Sequence, residues 1–354
     1  MSHTIFVGLS GGVDSAVSAA LLKEEGYDVV GVFIKIWQPE FLECTWKEER
    51  LDAMRVCATL GIPFREVDLS DEYQKEVVER MIHDYQSGIT PNPDVLCNRH
   101  IKFGSFLAWA RREGADRVAT GHYAQTREVD GHVELLRARD YSKDQSYFLH
   151  SVGQEDLAKA LFPIGTMLKS EVRALAQDFH LPVAEKPDSQ GLCFVGEVSM
   201  SEFLKRFIPV VPGPVLSNHT VVGEHEGAAL YTIGQRHGFS IAEHASATPH
   251  YVTGIDIATN SIEVSPRRMD AARSSVSLRN PRWVYEEPET PAHLYAQARY
   301  HEEGVAVELT RSGAELQATF ASPHLVSRGQ SLVLYAGAEG RGEDVCLGGG
   351  IIHF

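Results

Sequence analysis

Five cysteines in 354 residues, none in a CxxC pair, leave no basis for a disulfide framework, a zinc ribbon or a cysteine-rich iron–sulfur site. No apolar run approaches the ~20 residues that a membrane span needs. The first strand signal starts almost at Met1, leaving no space for a targeting segment, so a cytoplasmic protein without membrane association is expected. Internal repeats and low-complexity tracts are absent. Positive charge is scarce: 33 Lys and Arg against 48 Asp and Glu give a net charge of −15. That balance excludes a surface that binds nucleic acid all over, because phosphate contacts dominate such affinity. The length fits two or three domains on a prior of about 150 residues each.

One more absence defines the first motif. Thr4-Ile5-Phe6-Val7 predicts a strand, and Val13, Val17 and Leu21 recur at helical spacing up to Gly26. Between them stands Gly8-Leu9-Ser10-Gly11-Gly12-Val13-Asp14-Ser15, a strand-loop-helix turn of the kind that aims backbone N–H groups at a phosphate. A GxxxxGK[ST] loop would carry Lys where this chain has Asp14. An acidic residue there suits a Mg²⁺-bound pyrophosphate. The same glycines would serve an ordinary βα turn, but all six positions of Ser10-Gly11-Gly12-Val13-Asp14-Ser15 resemble the PP-loop of ATP pyrophosphatases, which cleave ATP between the α and β phosphates.

Further strand signals at 28–36, 64–68 and 117–123 alternate with helical ones at 71–86 and 101–112, and with a helix marked by Leu51, Met54 and Ala58 that Gly61 stops. The alternation predicts an α/β fold with a doubly wound parallel sheet, its ligand at the carboxyl ends of the strands, where Gly12, Ile34 and Gly121 would ring one nucleotide. Residues 126–138 read as a hairpin around Asp130-Gly131. Pro209, Pro212, Gly213 and Pro214 punctuate a boundary. Alternating runs around 305–310 and 316–320, with 331–335 and 345–352, predict a C-terminal antiparallel β-barrel. The expected division is a catalytic domain at 1–204, a small central module at 205–272 and the barrel at 273–354. Just before and within the start of the barrel, Arg267, Arg268, Arg273, Arg279 and Arg282 face only Asp270. They read either as a phosphate-binding footprint or as a solvated linker.

Two cysteines stand out by setting. Cys97 follows Thr90-Pro91-Asn92-Pro93-Asp94-Val95-Leu96, where two prolines predict an extended loop ahead of a helix, and Asn98 and Arg99 follow it. A thiol near a helix start and a cation ionises more readily. Cys193 lies in the turn-rich Asp188-Ser189-Gln190-Gly191-Leu192-Cys193-Phe194. Either could instead be a small buried hydrophobe, as Cys44, Cys57 and Cys346 look to be. His122 and the other histidines read as hydrogen-bonding or surface groups.

These segments, together with Ala119-Thr120-Gly121-His122-Tyr123, Lys143-Asp144-Gln145-Ser146-Tyr147-Phe148-Leu149, Thr232 to Gly238 and Cys346 to Ile352, resemble the tRNA-specific 2-thiouridylases essentially end to end. Those bacterial enzymes replace the C2 oxygen of the wobble uridine (position 34) of tRNA with sulfur. The resemblance implies ATP with Mg²⁺ near Asp14 as the activating reagent, and ATP contacts from Gly8, Leu9, Ser10, Gly11, Gly12, Val13, Asp14, Ser15, Ile34 and Gly121. It implies a target-base contact by Asn92, Pro93 and Asp94, and tRNA contacts by Lys143, Asp144, Gln145, Arg299 and Tyr300. Cys97 matches the nucleophile and Cys193 the persulfide-bearing cysteine, with a transient disulfide between them. Asp94 is the expected proton carrier. Expected partners are tRNAs for Lys, Glu and Gln and a persulfide donor protein, with no zinc or iron–sulfur cluster. Other PP-loop enzymes, such as amide-forming or lysidine synthetases, need the first loop but no paired loop cysteines.

Overall fold

The computed structural model describes residues 3–41, 46–188, 198–242, 248–337 and 344–354. Apolar, β-branched runs buried on both faces build a parallel sheet, as such runs must. Its strands are β1 (Thr4–Leu9), β2 (Asp28–Lys35), β3 (Phe64–Asp68), β4 (Arg117–Ala119) and β7 (Ala160–Leu161), in the order β3-β2-β1-β4-β7. Around it lie α1 (Val13–Glu24), α2 (Trp46–Leu60), α3 (70–86) and α4 (93–112). The strand order reverses between β1 and β4, so the loops after these two strands open onto one crevice, where an open α/β sheet takes its ligand.

A second sheet, in the order β10-β9-β8-β12-β11, is built from β8 (Gly213–Ser217), β9 (Thr220–His225), β10 (Phe239–Ile241), β11 (Tyr251–Asp256) and β12 (Ser261–Ser265). The third closes on itself. It contains β13 (Arg273–Trp283), β14 (Ala292–Gln297), β15 (Val305–Ser312), β16 (Glu315–His324), β17 (Ser331–Ala336) and β18 (Val345–His353), and a β13–β18 pairing completes the barrel. The alternation read in the sequence is the inside–outside alternation of its strands: Val307, Leu309, Leu316, Ala318 and Phe320 fill its core. The architecture is therefore a doubly wound parallel sheet, a small β module and an antiparallel barrel.

The hairpin of β5 (Gln125–Val129) and β6 (His132–Leu136) was legible, but its use was not. It extends the barrel sheet, with Leu136 opposite Val345 and Leu135 opposite Cys346. Other expectations are corrected. In α2 the buried face is Ala53, Val56, Cys57 and Leu60, whereas Leu51 and Met54 are exposed. β4 stops at Ala119, leaving Thr120-Gly121-His122 as a loop over the crevice. Pro93 opens α4 as its first residue, where its missing N–H costs nothing, so the helix starts eight residues earlier than its apolar periodicity predicts. The linker reading fails for Arg273, Arg279 and Arg282, which stand on barrel strand β13.

Candidate nucleotide and thiol site

The loop between β1 and α1 has the shape its glycines predict. Gly11 has φ of +73°, and a Cβ there would lie 2.5 Å from the Glu49 carbonyl oxygen. Ser15 Oγ accepts from the Ser10 amide at 3.2 Å and stands 3.2 Å from Ser10 Oγ, which braces the loop across its mouth. Gly121 presses against the same turn from β4, and a Cβ on it would meet Ser15 N at 2.5 Å. At Gly8 an added Cβ would sit 3.4 Å from the Ile34 side chain. The fold thus brings together Gly8, Gly11, Ser15, Ile34 and Gly121 from β1, α1, β2 and the loop after β4.

Charge gathers around this loop in a pattern the sequence reading missed. Lys169 Nζ, on α5 (Lys169–Asp178), reaches both Asp14 oxygens at 2.7 and 2.8 Å, and Tyr123 donates its hydroxyl to Asp14 at 3.0 Å. Burial, reinforced by the Asp14 carboxylate, holds the Tyr123 hydroxyl protonated far above its usual range. Lys169 also meets Asp188 at 2.9 Å, which binds Lys143 at 3.0 Å and Arg173 at 2.7 Å. Lys186 donates to the Gly11 carbonyl at 3.0 Å and to Asp52 at 2.8 Å. Two of these cations, Lys169 and Lys186, touch the loop, and the four together are balanced by Asp14, Asp188 and Asp52. The available signal was Lys169 and Arg173 at i and i+4, one face of one helix.

Partial burial pushes the Asp188 carboxyl up, but hydrogen bonds and charge from Lys169 and Lys143 outweigh it and hold the group well below the usual 3.8. Its ion pairs therefore stabilise the fold above that ordinary value, and the contribution is lost as pH falls through the lower folded one. Asp188→Asn is expected to lower the urea midpoint near neutrality, with the gap to wild type closing in acid. A gap that stays constant into acid would refute the linkage.

Asn92 caps α4 by accepting the Val95 amide at 3.3 Å. Asp94 is half-buried in the helix's first turn, where burial raises its carboxyl above the ordinary range and Lys102 opposes the shift. Cys97 lies in the second turn, at the start of a π-wound stretch, and is 8% exposed. The helix end expected to act on its thiol is thus a full turn away, beyond the reach of most of that effect. Lys102 Nζ stands 3.3 Å from His122 Nε2, and His122 Nδ1 stands 2.8 Å from Thr120 Oγ1. His122 is buried beside Lys102 and held neutral. The loop at Ser15 thus lies against Gly121, and the neighbouring His122 stands beside Lys102 of α4, the helix that also carries Asp94 and Cys97.

The segment ahead of Asn92 is held by the other two modules. Gln330 Nε2 donates to the Thr90 and Pro91 carbonyls at 2.9 and 2.8 Å, and the Thr90 amide donates to the Arg328 carbonyl at 3.0 Å. Thr90 Oγ1 also lies 3.2 Å from Thr232 Oγ1 of the central module. Arg299 joins the modules too, donating to the Ile233 carbonyl at 3.0 Å and to Ser327 Oγ at 3.1 Å. Tyr300 packs on Phe148 at 4.4 Å, and burial pushes its hydroxyl up to about 12, with Asp144 and Asp94 adding to the shift.

Within Lys143-Asp144-Gln145 the roles divide. Lys143 binds Asp188, and Gln145 accepts from the Tyr123 amide at 3.0 Å. The buried Asp144 carboxylate takes the Ala138 and Ser146 amides and the Ser146 hydroxyl, so it braces the loop. Cys193, its expected linkage to Cys97, and Cys44 lie outside the described residues. No group of metal-ligating side chains occurs among the described residues, and no helix there is long and apolar enough to cross a membrane.

Three family models cover the chain: a tRNA methyl transferase HUP domain at residues 3–197, a tRNA methyl transferase PRC-barrel domain at 201–266 and an aminomethyltransferase beta-barrel domain at 273–352. The tRNA-specific 2-thiouridylase MnmA of Pseudomonas fluorescens (strain Pf0-1) is 42% identical over 99% of this chain and 94% of its own length. The chain belongs to the tRNA-specific 2-thiouridylase family. A second thiouridylase of that name, from Paraburkholderia phymatum, is 43% identical over 99% of this chain and 93% of its own. Among solved structures, the U34-tRNA thiolase NcsA of Methanococcus maripaludis covers 54% of this chain and 61% of its own at 21% identity. Its TM-score of 0.36 is too remote to inform this thiouridylase site.

Proposed function

We propose that this protein uses ATP to replace the C2 oxygen of the wobble uridine of tRNA with sulfur. The observation that carries the reading is the run from the phosphate loop at Ser15, past Gly121 and His122, to Lys102 on the helix that also holds Asp94 and Cys97. It links a nucleotide-activating loop to a thiol. The descriptions of the family models speak of methyl transfer, but a Gly-rich loop with Lys169 on Asp14 and Lys186 on the Gly11 carbonyl suits a triphosphate.

The chemistry follows from the leaving group. A uracil C2 oxygen departs poorly. Attack of that oxygen on the α-phosphate expels pyrophosphate and converts the oxygen into part of AMP. Loop N–H groups, with Lys169, Arg173 and Lys186, stabilise the charge that develops on pyrophosphate. Asp14, the loop's single carboxylate, would hold a Mg²⁺ in exchange for Lys169, which here engages both of its oxygens, and the ion would neutralise phosphate charge. The terminal sulfur of a Cys193 persulfide then attacks C2 and expels AMP. The Cys97 thiolate next attacks the Cys193 sulfur, which releases the 2-thio base and leaves a Cys97–Cys193 disulfide for a thiol reductant to reopen. Asp94, with its raised carboxyl, suits proton transfer at the base.

Asn92 and Pro93 are assigned to the target base, and Lys143, Gln145, Arg299 and Tyr300 to tRNA. Asp144 acts by ordering their loop. The substrates in this reading are the Lys, Glu and Gln tRNAs, and a separate cytoplasmic protein loads the persulfide.

Incubation with ATP, Mg²⁺, a sulfur source and unmodified tRNA, followed by mass spectrometry of the digested nucleosides, should yield 2-thiouridine. Asp14→Asn is expected to lower tRNA-dependent pyrophosphate release by about 10²-fold or more, the scale seen when charge stabilisation of a reacting group is lost. Release at the wild-type rate would remove Asp14 from the chemistry.

A further inference from the structure

Where α4 meets the barrel there is a basic pocket that none of this chemistry uses. It is a cavity of about 470 Å³, lined by Arg99 and His100 of α4, Ser151, Asp156, and Arg282 and Trp283 of β13. Neither Arg99 nor Arg282 has an ion-pair partner among the described residues. Burial, together with the positive charges of Arg282 and Arg80, makes it harder for Arg99 to stay charged. The nearby acids do not relieve this crowding: Glu76 is engaged by Arg80 and stands 3.8 Å from His100, which leaves Asp156 alone on the wall.

A second, independent feature lies in the same cavity. Ser151 Oγ is buried and has no hydrogen-bond partner among the described residues, a state that costs free energy unless a ligand completes it. Two guanidinium forks and a hydroxyl donor, in a chain of net charge −15, are a donor set for a phosphate group.

We propose that this pocket binds one phosphodiester of the tRNA strand that carries the target base. The proposal rests on the thiolation reading above, and it adds an anchor formed jointly by the catalytic domain and the barrel. Arg99 follows Asp94 by five residues on one helix, or about 7.5 Å along its axis at 1.5 Å per residue. That is about two phosphate steps of a stacked strand at ~3.4 Å each. The anchor therefore sits within a few nucleotides of the base that Asp94 meets. Arg282, unlike Arg267, which pairs with Asp270 at 3.2 Å, contributes its charge where Arg99 can share it.

The test measures binding of unmodified tRNA with a wobble uridine across a range of salt, using the full chain. The double variant Arg99→Gln/Arg282→Gln is expected to bind about tenfold or more weakly, as loss of hydrogen bonds to a charged group implies. Its plot of log K against log salt should be shallower by about 0.7, the value for one single-strand phosphate. Arg99→Lys/Arg282→Lys should keep the wild-type slope while losing part of the affinity, which guards against a folding artefact. ATP binding should be unchanged in all three proteins. If the Gln variant keeps both affinity and slope while wild type thiolates tRNA, the pocket assignment fails and the function stands. If wild type neither binds nor thiolates tRNA, the function fails and the assignment with it. If millimolar inorganic phosphate raises the melting temperature of wild type but not of the Gln variant, while both bind tRNA equally, the pocket belongs to a free anion and the assignment is overturned.

Discussion

Cys97→Ser is expected to lower formation of thiolated tRNA by about 10³-fold or more, the scale of losing a nucleophile, while leaving tRNA-dependent pyrophosphate release within a few-fold of wild type. The two readouts separate because the nucleotide loop and α4 are different elements joined through Gly121, His122 and Lys102, and serine at position 97 changes none of those contacts. Cys193 should remain joined by a disulfide to the sulfur on C2 of the base. Cys57 and Cys346 supply the controls. Both are buried, and burial pushes their thiols up to about 11 and about 12, so neither offers a thiolate at neutral pH. Serine at either position should leave thiolation intact and cost about 1–3 kcal/mol of stability, because it buries an unpaired hydroxyl. Full thiolation by Cys97→Ser would show that the sulfur moves without it.

Gly121→Ala should be, with Gly11→Ala, among the most damaging one-carbon changes near the phosphate loop. Its Cβ would meet Ser15 N at 2.5 Å, Asp14 C at 2.7 Å and Ser15 Cα at 2.9 Å, all backbone atoms at the start of a helix that cannot rotate aside. Either β4 moves off β1 or the first turn of α1 shifts. Overpacking of this kind costs about 1–3 kcal/mol. Moving the loop by a fraction of an ångström should cut ATP-dependent turnover by about 10²-fold. Gly304→Ala, where the nearest atom to the new Cβ is 3.6 Å away, should change neither. Turnover by Gly121→Ala at the wild-type rate would mean that the contact yields easily and that nucleotide geometry does not depend on it.

The elements that were legible are those whose signal is local. Thr4 to Gly12 is an apolar strand followed by a Gly-rich turn, and the barrel strands alternate because their neighbours do. Amphipathicity misled where a helix is covered on more than one side. In α2 the apolar Leu51 and Met54 face outward, and the small Ala53 and Cys57 pack on the sheet, where Cys57 Sγ fills the space a Cβ on Gly31 would need. α4 was read short because Asn92-Pro93-Asp94 looks like a loop until the cap and the proline are recognised as a helix start. The cations at Lys169, Arg173 and Lys186 were invisible for a different reason. They come from chain more than 150 residues after the loop they surround, and no periodicity encodes that meeting.

The grip of Arg328 and Gln330 on Thr90 and Pro91 makes the barrel a lever on the start of α4. Those bonds go to main-chain atoms, so they set the aim of Asn92 and Asp94 whatever side chains the segment carries. Thr232 makes the same segment answerable to the central module. Wear anywhere in the barrel that slackens the turn before β17 is thus transmitted to Asn92 and Asp94 as misalignment, and an enzyme with every reacting group intact would turn over slowly. Inherited or engineered changes in residues 273–354 should accordingly be judged as much by turnover as by RNA affinity.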